Sequence, residues 1–282
     1  MNIREITIGS IRIGPEQPMA LIAGPCVIEE ESLVLSTAEA VKKIADRLQI
    51  PFIFKSSYLK DNRSSATTYQ GPGLEKGLKI LQKVKDQVGV PVLSDIHNQH
   101  DAEAAGEVLD VIQIPAYLSM QTSLTLAAAK TGKTINIKKG QFLDPHDLKN
   151  VIGKLQHAGN DNILLTERGT FFGYHNLVVD FRSFHIMQSL GYPVIFDPTH
   201  SIRVYGISSS DPRGGNPEFV PALSRAAIAA GCQAMFIETH PNCSEAKCDA
   251  ASMWPLDKLE HLLQHLKRMD EVRRSLEKDY PI

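Results

Sequence analysis

The sequence has few cysteines and aromatic residues, and neither sign of charge dominates. Its 282 residues include four cysteines and one tryptophan, and aromatic residues make up 6% of the chain. No two cysteines form a C-x-x-C pair, so we predict neither a disulfide framework nor a paired-cysteine zinc site. Lys and Arg total 30 against 32 Asp and Glu, a net charge of −2. This balance excludes a global field that would gather nucleic acid or an anionic membrane.

Long apolar runs and the common nucleotide-binding motifs are also missing. The most apolar stretch near the N-terminus, residues 19–28, is interrupted by Gly24-Pro25 and is far shorter than the roughly 20 residues that span a membrane. Residues 1–5 include an acid and do not resemble a signal peptide. No P-loop, G-x-G-x-x-G or G-x-S-x-G motif occurs. We therefore expect a cytoplasmic protein that binds neither nucleic acid nor membranes.

Short apolar runs alternate with longer segments of helical periodicity, which is typical of βα units around a parallel sheet. The predicted strands are 19–23, 51–55, 91–95, 111–114, 134–138, 162–166, 193–197 and 234–238. The predicted helices are 32–48, 73–88, 99–108, 121–131, 144–157, 177–190, 217–230 and 255–277. The series favours a single α/β domain over residues 1–282, a (β/α)8 TIM barrel, rather than two domains or a doubly wound open sheet. Within residues 1–14 we predict a β-hairpin that caps the bottom of the barrel.

Charged or ligating residues follow nearly every predicted strand. Barrel enzymes build their sites at the C-terminal ends of the strands, so these residues should converge. The cationic members indicate a small substrate with several anionic groups; they are Lys55, Lys60, Arg63, Lys138 and Arg168. The alternative is that they form separate surface salt bridges.

A second set of residues could ligate a metal ion, and it consists of Cys26, His200, Glu238 and Asp249. A mixed thiolate, imidazole and carboxylate set suits Zn²⁺, Fe²⁺, Mn²⁺ or Co²⁺ better than Mg²⁺. From the residues alone, a buried cysteine and a hydrogen-bonded histidine remain the alternative.

Several long motifs resemble the 3-deoxy-D-manno-octulosonate 8-phosphate synthase family over nearly the whole chain. They include Lys55-Ser56-Ser57, Lys60-Asp61-Asn62-Arg63-Ser64-Ser65, Gly71-Pro72-Gly73-Leu74-Glu75, Asp110 to Ala116, Asn136 to Phe142, Glu167-Arg168-Gly169, Phe172-Gly173-Tyr174, Asn176 to Asp180, Phe196 to Ser201 and Glu238 to Pro241. The resemblance implies a transferase that condenses phosphoenolpyruvate with D-arabinose 5-phosphate and water. The products would be inorganic phosphate and the eight-carbon sugar acid phosphate that supplies the Kdo of lipopolysaccharide.

The same resemblance implies roles for individual residues. Phosphoenolpyruvate would be held by Lys55, Ser57, Lys60, Gln113, Ala116, Lys138, Gln141 and Arg168. The sugar phosphate would be held by Asn62, Arg63, Ser64 and Asp95, with Arg63 and Ser64 reaching in from a neighbouring subunit of a homotetramer. The catalytic residues would be His200, Lys138, Asp249 and Cys26.

Cys26 separates two branches of this family, because the metal-independent branch has asparagine at that position. The resemblance therefore implies one divalent metal ion per subunit, held by the four candidate ligands. We expect that Cys248, which is adjacent to Asp249, is not a ligand, since a neighbour in sequence usually points elsewhere. Residues 211–215, Asp-Pro-Arg-Gly-Gly, depart from the family, which often has a serine before the paired glycines; this loop bears on sugar contacts rather than on the reaction.

Two alternatives have distinct signatures. The related 3-deoxy-D-arabino-heptulosonate 7-phosphate synthases use erythrose 4-phosphate and generally have Lys-Pro-Arg-Thr where this chain has Asp61-Asn62-Arg63-Ser64. A non-catalytic barrel that only binds a phosphosugar is the other alternative, and such a protein would not need Cys26, His200 and Asp249 together.

Overall fold

The structure is a computed structural model that describes residues 2–63, 65, 67–171, 175–208 and 211–279. Its strands are β1 (Ile6–Ile8), β2 (Ile11–Ile13), β3 (Ala20–Gly24), β4 (Phe52–Lys55), β5 (Val92–Asp95), β6 (Val111–Ile114), β7 (Thr134–Lys138), β8 (Ile163–Glu167), β9 (Thr170–Phe171), β10 (Leu177–Val178), β11 (Val194–Phe196), β12 (Ala234–His240) and β13 (Trp254–Pro255). Its helices are α1 (Glu31–Leu48), α2 (Leu74–Val88), α3 (Ala102–Val108), α4 (Thr122–Lys130), α5 (Leu148–His157), α6 (Arg182–Gln188), α7 (Pro198–Ser201), α8 (Val220–Ala229) and α9 (Leu259–Asp279).

The barrel is a closed ring of parallel strands in the order β3-β4-β5-β6-β7-β8-β11-β12. Closure comes from β12, which pairs in parallel with both β3 and β11. Every residue of these strands is buried, as expected where helices cover the outside and side chains fill the inside of a parallel sheet. The predicted (β/α)8 barrel is confirmed.

The N-terminal hairpin places its apolar side chains at the N-terminal end of the barrel. Strands β1 and β2 pair antiparallel, with Ile6 opposite Ile13 and Ile8 opposite Ile11. These isoleucines form one buried cluster with residues near the beginnings of barrel strands, among them Ala20. Thr7 and Arg12 alternate with them and are exposed, so the period-2 pattern sets which face is buried.

Gly24 lets the ends of β3 and β4 approach closely where the site begins. Its φ is +153°, and a Cβ at this position would lie 2.1 Å from the carbonyl oxygen of Lys55. A side chain would therefore push apart the two strand ends that lead into Cys26 and Lys55.

Besides shifts of a few residues at helix ends, the chain departs from the predicted helices at two places. Residues 177–181 are not helical: β10 pairs antiparallel with β9, and α6 begins only at Arg182. The β-branched Val178 favours a strand there. After β11, the short helix α7 was not predicted, and the Asp197 carboxylate caps it by accepting from the His200 backbone N–H at 2.9 Å. Within the described residues, no helix is both long and apolar enough to cross a membrane.

Candidate active site

The strand ends bring most of the predicted residues into one buried, highly charged volume. Its lysines are each bonded to a carboxylate from another strand or loop: Lys55 to Glu238, Lys60 to Asp95 and Lys138 to Asp197. The alternative of separate surface salt bridges is wrong, because these pairs lie inside the barrel mouth with little or no exposure. Removing one partner from such a pair would leave the other charge buried and unpaired.

Asp95 is the centre of a hydrogen-bond network across several strands. One of its oxygens accepts from the Ser57 hydroxyl and the Lys60 ammonium, both at 2.9 Å, and the other accepts from the Gln113 amide. Burial alone would raise the pKa of Asp95, but Lys60 and Lys55 outweigh it and hold that pKa well below the usual range. Asp95, predicted to contact the sugar, thus orients three side chains that were predicted to hold phosphoenolpyruvate.

Asp197 joins a lysine and a histidine on the other side of the mouth. Its carboxylate lies 2.6 Å from Nδ1 of His200 and also bonds to the Lys138 ammonium. Burial alone would raise the pKa of Asp197, but the effects of His200 and Lys138 outweigh burial and lower that pKa, so the carboxylate stays charged. With Nδ1 turned to Asp197, Nε2 of His200 faces Glu238 and Asp249 at 3.6 and 3.5 Å. A carboxylate behind a histidine in this way is the usual support of a metal-binding imidazole.

The predicted metal ligands form two overlapping groups that share Asp249. The ligand atoms of His200, Glu238 and Asp249 lie within 4.8 Å of one another, as do those of Cys26, Cys248 and Asp249. The Oε2 atom of Glu238 is buried and has no hydrogen-bond partner among the described residues. A carboxylate oxygen without a hydrogen-bond partner beside an imidazole and a second carboxylate, with two thiols around that second carboxylate, fits a divalent transition-metal ion.

Cys248 points into this cluster, so the prediction that it points elsewhere is wrong. Its Sγ lies 2.6 Å from Sγ of Cys26. Asp249 has a φ of +51°, and a left-handed residue interrupts the alternation that normally separates neighbouring side chains. Burial, together with Cys248, raises the pKa of the Cys26 thiol well above its usual range.

Two of the predicted cations differ from the lysines. Neither Arg63 nor Arg168 forms an ion pair with a carboxylate in the part of the chain that the structure describes. Arg63 donates to Sγ of Cys248 at 2.7 Å and to the Lys247 carbonyl at 3.2 Å, both in its own chain. Arg168 donates to the Tyr205 hydroxyl at 2.9 Å. Among the residues that the structure describes, both guanidinium groups therefore lack a carboxylate partner.

The remaining predicted residues have varied positions. Ala116 is buried in the turn after β6, Gln141 donates to Tyr205 at 2.7 Å, and Asn62 is exposed. Ser64 and the Phe172-Gly173-Tyr174 motif lie outside the described residues. Residues 212–214 form a 3-10 turn that Asp211 caps.

Sequence reasoning missed three site residues. Asp197 was noted only as a strand end, although its position three residues before His200 is a capping signal. Arg203 pairs with Asp249, and Tyr205 joins Arg168 to Gln141. No local pattern marks these last two, because the loop after β11 and not its composition brings them to the site.

Comparison with known proteins agrees with this geometry. The profile of the DAHP synthetase I family matches residues 3–275. A protein of Geobacter sp. (strain M21) named 2-dehydro-3-deoxyphosphooctonate aldolase is 54% identical over 269 residues, which cover 95% of this chain and 98% of the relative. A protein of the same name from Trichlorobacter lovleyi is 52% identical over 271 residues, covering 96% and 99%. The chain therefore belongs to the DAHP synthetase I family.

Proposed function

We propose that this protein condenses phosphoenolpyruvate with D-arabinose 5-phosphate and water to give 3-deoxy-D-manno-octulosonate 8-phosphate and inorganic phosphate. This is the activity of the enzymes whose name its relatives carry. The observation that carries the proposal is that Arg63 and Arg168 have no carboxylate partner within the described residues, in a site whose lysines each pair with a carboxylate. Two such positive charges match the two phosphate groups that the substrates bring, and guanidinium is well suited to phosphate.

The charge pattern supports one orientation of phosphoenolpyruvate. Its phosphate would lie at Arg168, with Lys138, Gln141 and the backbone N–H of Ala116 around it. Its carboxylate would lie at Lys55 and Lys60, with Ser57 and Gln113 as further donors. Asp95 supports this second group, because it bonds to Ser57, Lys60 and Gln113 at once.

The sugar phosphate would lie at Arg63, with Asn62, Ser64 and Asp95 completing its contacts. We retain the prediction that Arg63 and Ser64 serve the site of a neighbouring subunit. In the chain itself Arg63 contacts residues 247 and 248, beside the candidate metal ligands.

We further propose one divalent ion, Zn²⁺, Fe²⁺, Mn²⁺ or Co²⁺, on Cys26, His200, Glu238 and Asp249. When bound, such an ion would acidify a water molecule or polarise the sugar aldehyde. The buried, unpartnered oxygen of Glu238 supports this assignment.

The protein's own groups then act by orientation and charge. A carbon–carbon bond forms between C3 of phosphoenolpyruvate and the aldehyde carbon, water adds at C2, and the bond from C2 to the phosphate oxygen breaks. Lys138 and Arg168 would stabilise the negative charge on the departing phosphate. Asp197 would keep Lys138 and His200 at the positions that these steps require.

The wider setting is also part of the proposal. We propose that the chain folds as one domain, assembles as a homotetramer and acts in the cytoplasm, where phosphoenolpyruvate is available.

Acceptor specificity tests the proposal and separates it from its alternatives. Phosphate release from phosphoenolpyruvate is measured with arabinose 5-phosphate and with erythrose 4-phosphate, and the product is identified by mass. We expect release with the five-carbon acceptor to exceed release with the four-carbon acceptor by at least about tenfold. The reverse preference would indicate the heptulosonate 7-phosphate reaction, and substrate binding without any release would indicate a non-catalytic barrel.

A further inference from the structure

The hydroxyl of Tyr205 lies where two side chains of the proposed phosphate subsite meet. It accepts a hydrogen bond from Nη1 of Arg168 at 2.9 Å and another from Nε2 of Gln141 at 2.7 Å. Arg168 follows β8 and Gln141 follows β7, so one oxygen atom ties together donors from adjacent βα loops. Both donors are buried, at 5% and 0% exposure.

Tyr205 is itself held firmly by the loop that carries Arg168. Its backbone N–H donates to the His175 carbonyl at 2.7 Å, and Nδ1 of His175 lies 3.0 Å from the Tyr205 carbonyl. Its ring meets the ring of Phe171 edge to face, with the centroids 4.8 Å apart. The phenol is therefore fixed at its backbone and its ring, and its oxygen has one defined position.

The electrostatics agree with this placement. Burial would raise the pKa of Tyr205, but the Arg168 charge and the donors Gln141 and Arg168 outweigh burial, and the pKa is lowered. A guanidinium has five N–H donors, and the contact with Tyr205 uses one of them. No other hydrogen bond of this guanidinium occurs among the described residues, so its other donors can serve an anion, while Tyr205 fixes the plane in which they lie.

We propose that Tyr205 is a positioning residue for the phosphate end of phosphoenolpyruvate, since its hydroxyl orients Arg168 and Gln141 toward the phosphate. The inference rests on the proposed function for the identity of the anion. Without the hydroxyl, both side chains would have to be ordered when the substrate binds, and that ordering weakens binding. Tyr205 would thus affect the affinity for phosphoenolpyruvate and leave the sugar phosphate unaffected.

The test is direct binding by calorimetry, with phosphoenolpyruvate, inorganic phosphate and arabinose 5-phosphate as separate probes, for the wild type and Tyr205→Phe. Phenylalanine keeps the ring contact and removes only the oxygen. We expect phosphoenolpyruvate and phosphate to bind roughly tenfold more weakly to the variant, with arabinose 5-phosphate changed less than about twofold. Where turnover is measured, KM for phosphoenolpyruvate should rise by the same factor and kcat should change little.

Tyr192→Phe is the matched control. This variant also removes the hydroxyl of a buried tyrosine, which donates to Asp161 at 2.8 Å. Both residues precede barrel strands and therefore lie at the end of the barrel opposite the site. The variant should leave all three affinities unchanged. A second control combines Tyr205→Phe with Arg168→Ala, where removal of the hydroxyl should cost much less than in the wild type, because contacting residues are not additive.

The outcomes separate this inference from the proposed function. Unchanged binding of phosphoenolpyruvate by Tyr205→Phe would overturn the positioning role. Tighter binding would overturn it too, because the Tyr205 hydroxyl would then compete with the phosphate for Arg168 and Gln141. Equal weakening of both substrates would overturn it as well, since that is a general structural effect. If the wild type binds neither phosphoenolpyruvate nor phosphate, both proposals fail. Weakened binding without turnover in either protein would support Tyr205 and refute the proposed reaction.

Discussion

At the scale of single residues, the site depends on carboxylates that orient other groups. Asp95 and Asp197 are buried and charged, and the oxygens of each carboxylate bond to side chains of the site. Such groups set the geometry of the residues that contact a substrate or an ion. Their replacement should therefore change binding more than it changes the fold.

Asp197→Asn tests the support of His200. The amide keeps the size of the side chain but loses the charge that faces Nδ1 of His200 and Lys138. We expect affinity for Zn²⁺ or Co²⁺ to fall about 10- to 100-fold, as is usual when the partner of a ligating histidine is changed. Metal titration of the stripped protein measures this, with Asp46→Asn as a control in an exposed ion pair with Lys42. Unaltered metal affinity would show that Asp197 does not support a metal ligand.

Arg63 and Arg168 can be assigned to their substrates by a crossed comparison. Loss of charge-assisted hydrogen bonds costs about 1.5–3 kcal/mol, or roughly 10- to 100-fold. Arg63→Ala should therefore raise KM for arabinose 5-phosphate by this factor and spare phosphoenolpyruvate, while Arg168→Ala should do the reverse. Steady-state kinetics with each substrate varied in turn provide the measurement. An equal rise for both substrates in either variant would contradict the assignment.

At the scale of elements, the two ends of the barrel do different work. The N-terminal hairpin buries apolar side chains at one end, and the loops that follow the strands gather charge at the other. This division is typical of (β/α)8 barrels, in which stability and chemistry occupy opposite faces. Substitutions in the hairpin should therefore change stability without changing the reaction.

Ile13→Ala tests that separation. Ile13 is fully buried in the hairpin cluster, and truncating a buried isoleucine to alanine costs about 2–5 kcal/mol. We expect the free energy of unfolding in urea to fall by this amount while KM for both substrates stays the same. Thr7→Ala, an exposed position of β1, should change stability by less than about 0.5 kcal/mol. Loss of substrate affinity in Ile13→Ala at temperatures where it remains folded would show that the hairpin contributes to the site.

The strands could be predicted from the sequence more closely than the helix ends could. Barrel strands such as β6 and β7 were predicted to the residue, because each is a short segment rich in β-branched residues between turn residues. The helical ends were less certain: α5 begins at Leu148 after a turn capped by Asp144, whereas the prediction began at 144. The β9–β10 hairpin was missed, since two-residue strands leave no periodic pattern.

Site residues at or near strand ends could be predicted from the sequence, whereas site residues on loops could not. Lys55 and Asp95 end their strands and Glu238 lies near the end of β12, and the topology of a barrel brings such positions together whatever the rest of the sequence is. Cys248, Arg203 and Tyr205 reach the site through loop conformation. The left-handed backbone of Asp249 shows why: one residue with positive φ reverses a side-chain direction that the spacing alone would predict.

At the scale of the whole molecule, the net charge of −2 conceals a strongly uneven arrangement. Buried lysine–carboxylate pairs neutralise most of the mouth. Within the described residues, Arg63 and Arg168 have no carboxylate partner, and a cluster of thiols and carboxylates adjoins the pairs and shares Glu238 with one of them. We propose that the guanidinium groups bind two phosphates and that the cluster binds a divalent ion. The reaction would then be a metal-dependent condensation of two phosphorylated substrates.

Metal dependence is tested most simply by mass spectrometry of the eight-carbon product. Its formation is followed in chelator-stripped protein before and after addition of Zn²⁺, Fe²⁺, Mn²⁺ or Co²⁺. We expect that stripping abolishes product formation, that at least one of these ions restores it, and that Cys26→Ala neither binds the ion nor recovers. Cys243→Ser, a change outside the candidate ligands, should behave like the wild type. Full product formation by the stripped protein would refute the proposed metal dependence. Absence of the product with every ion would refute the proposed condensation.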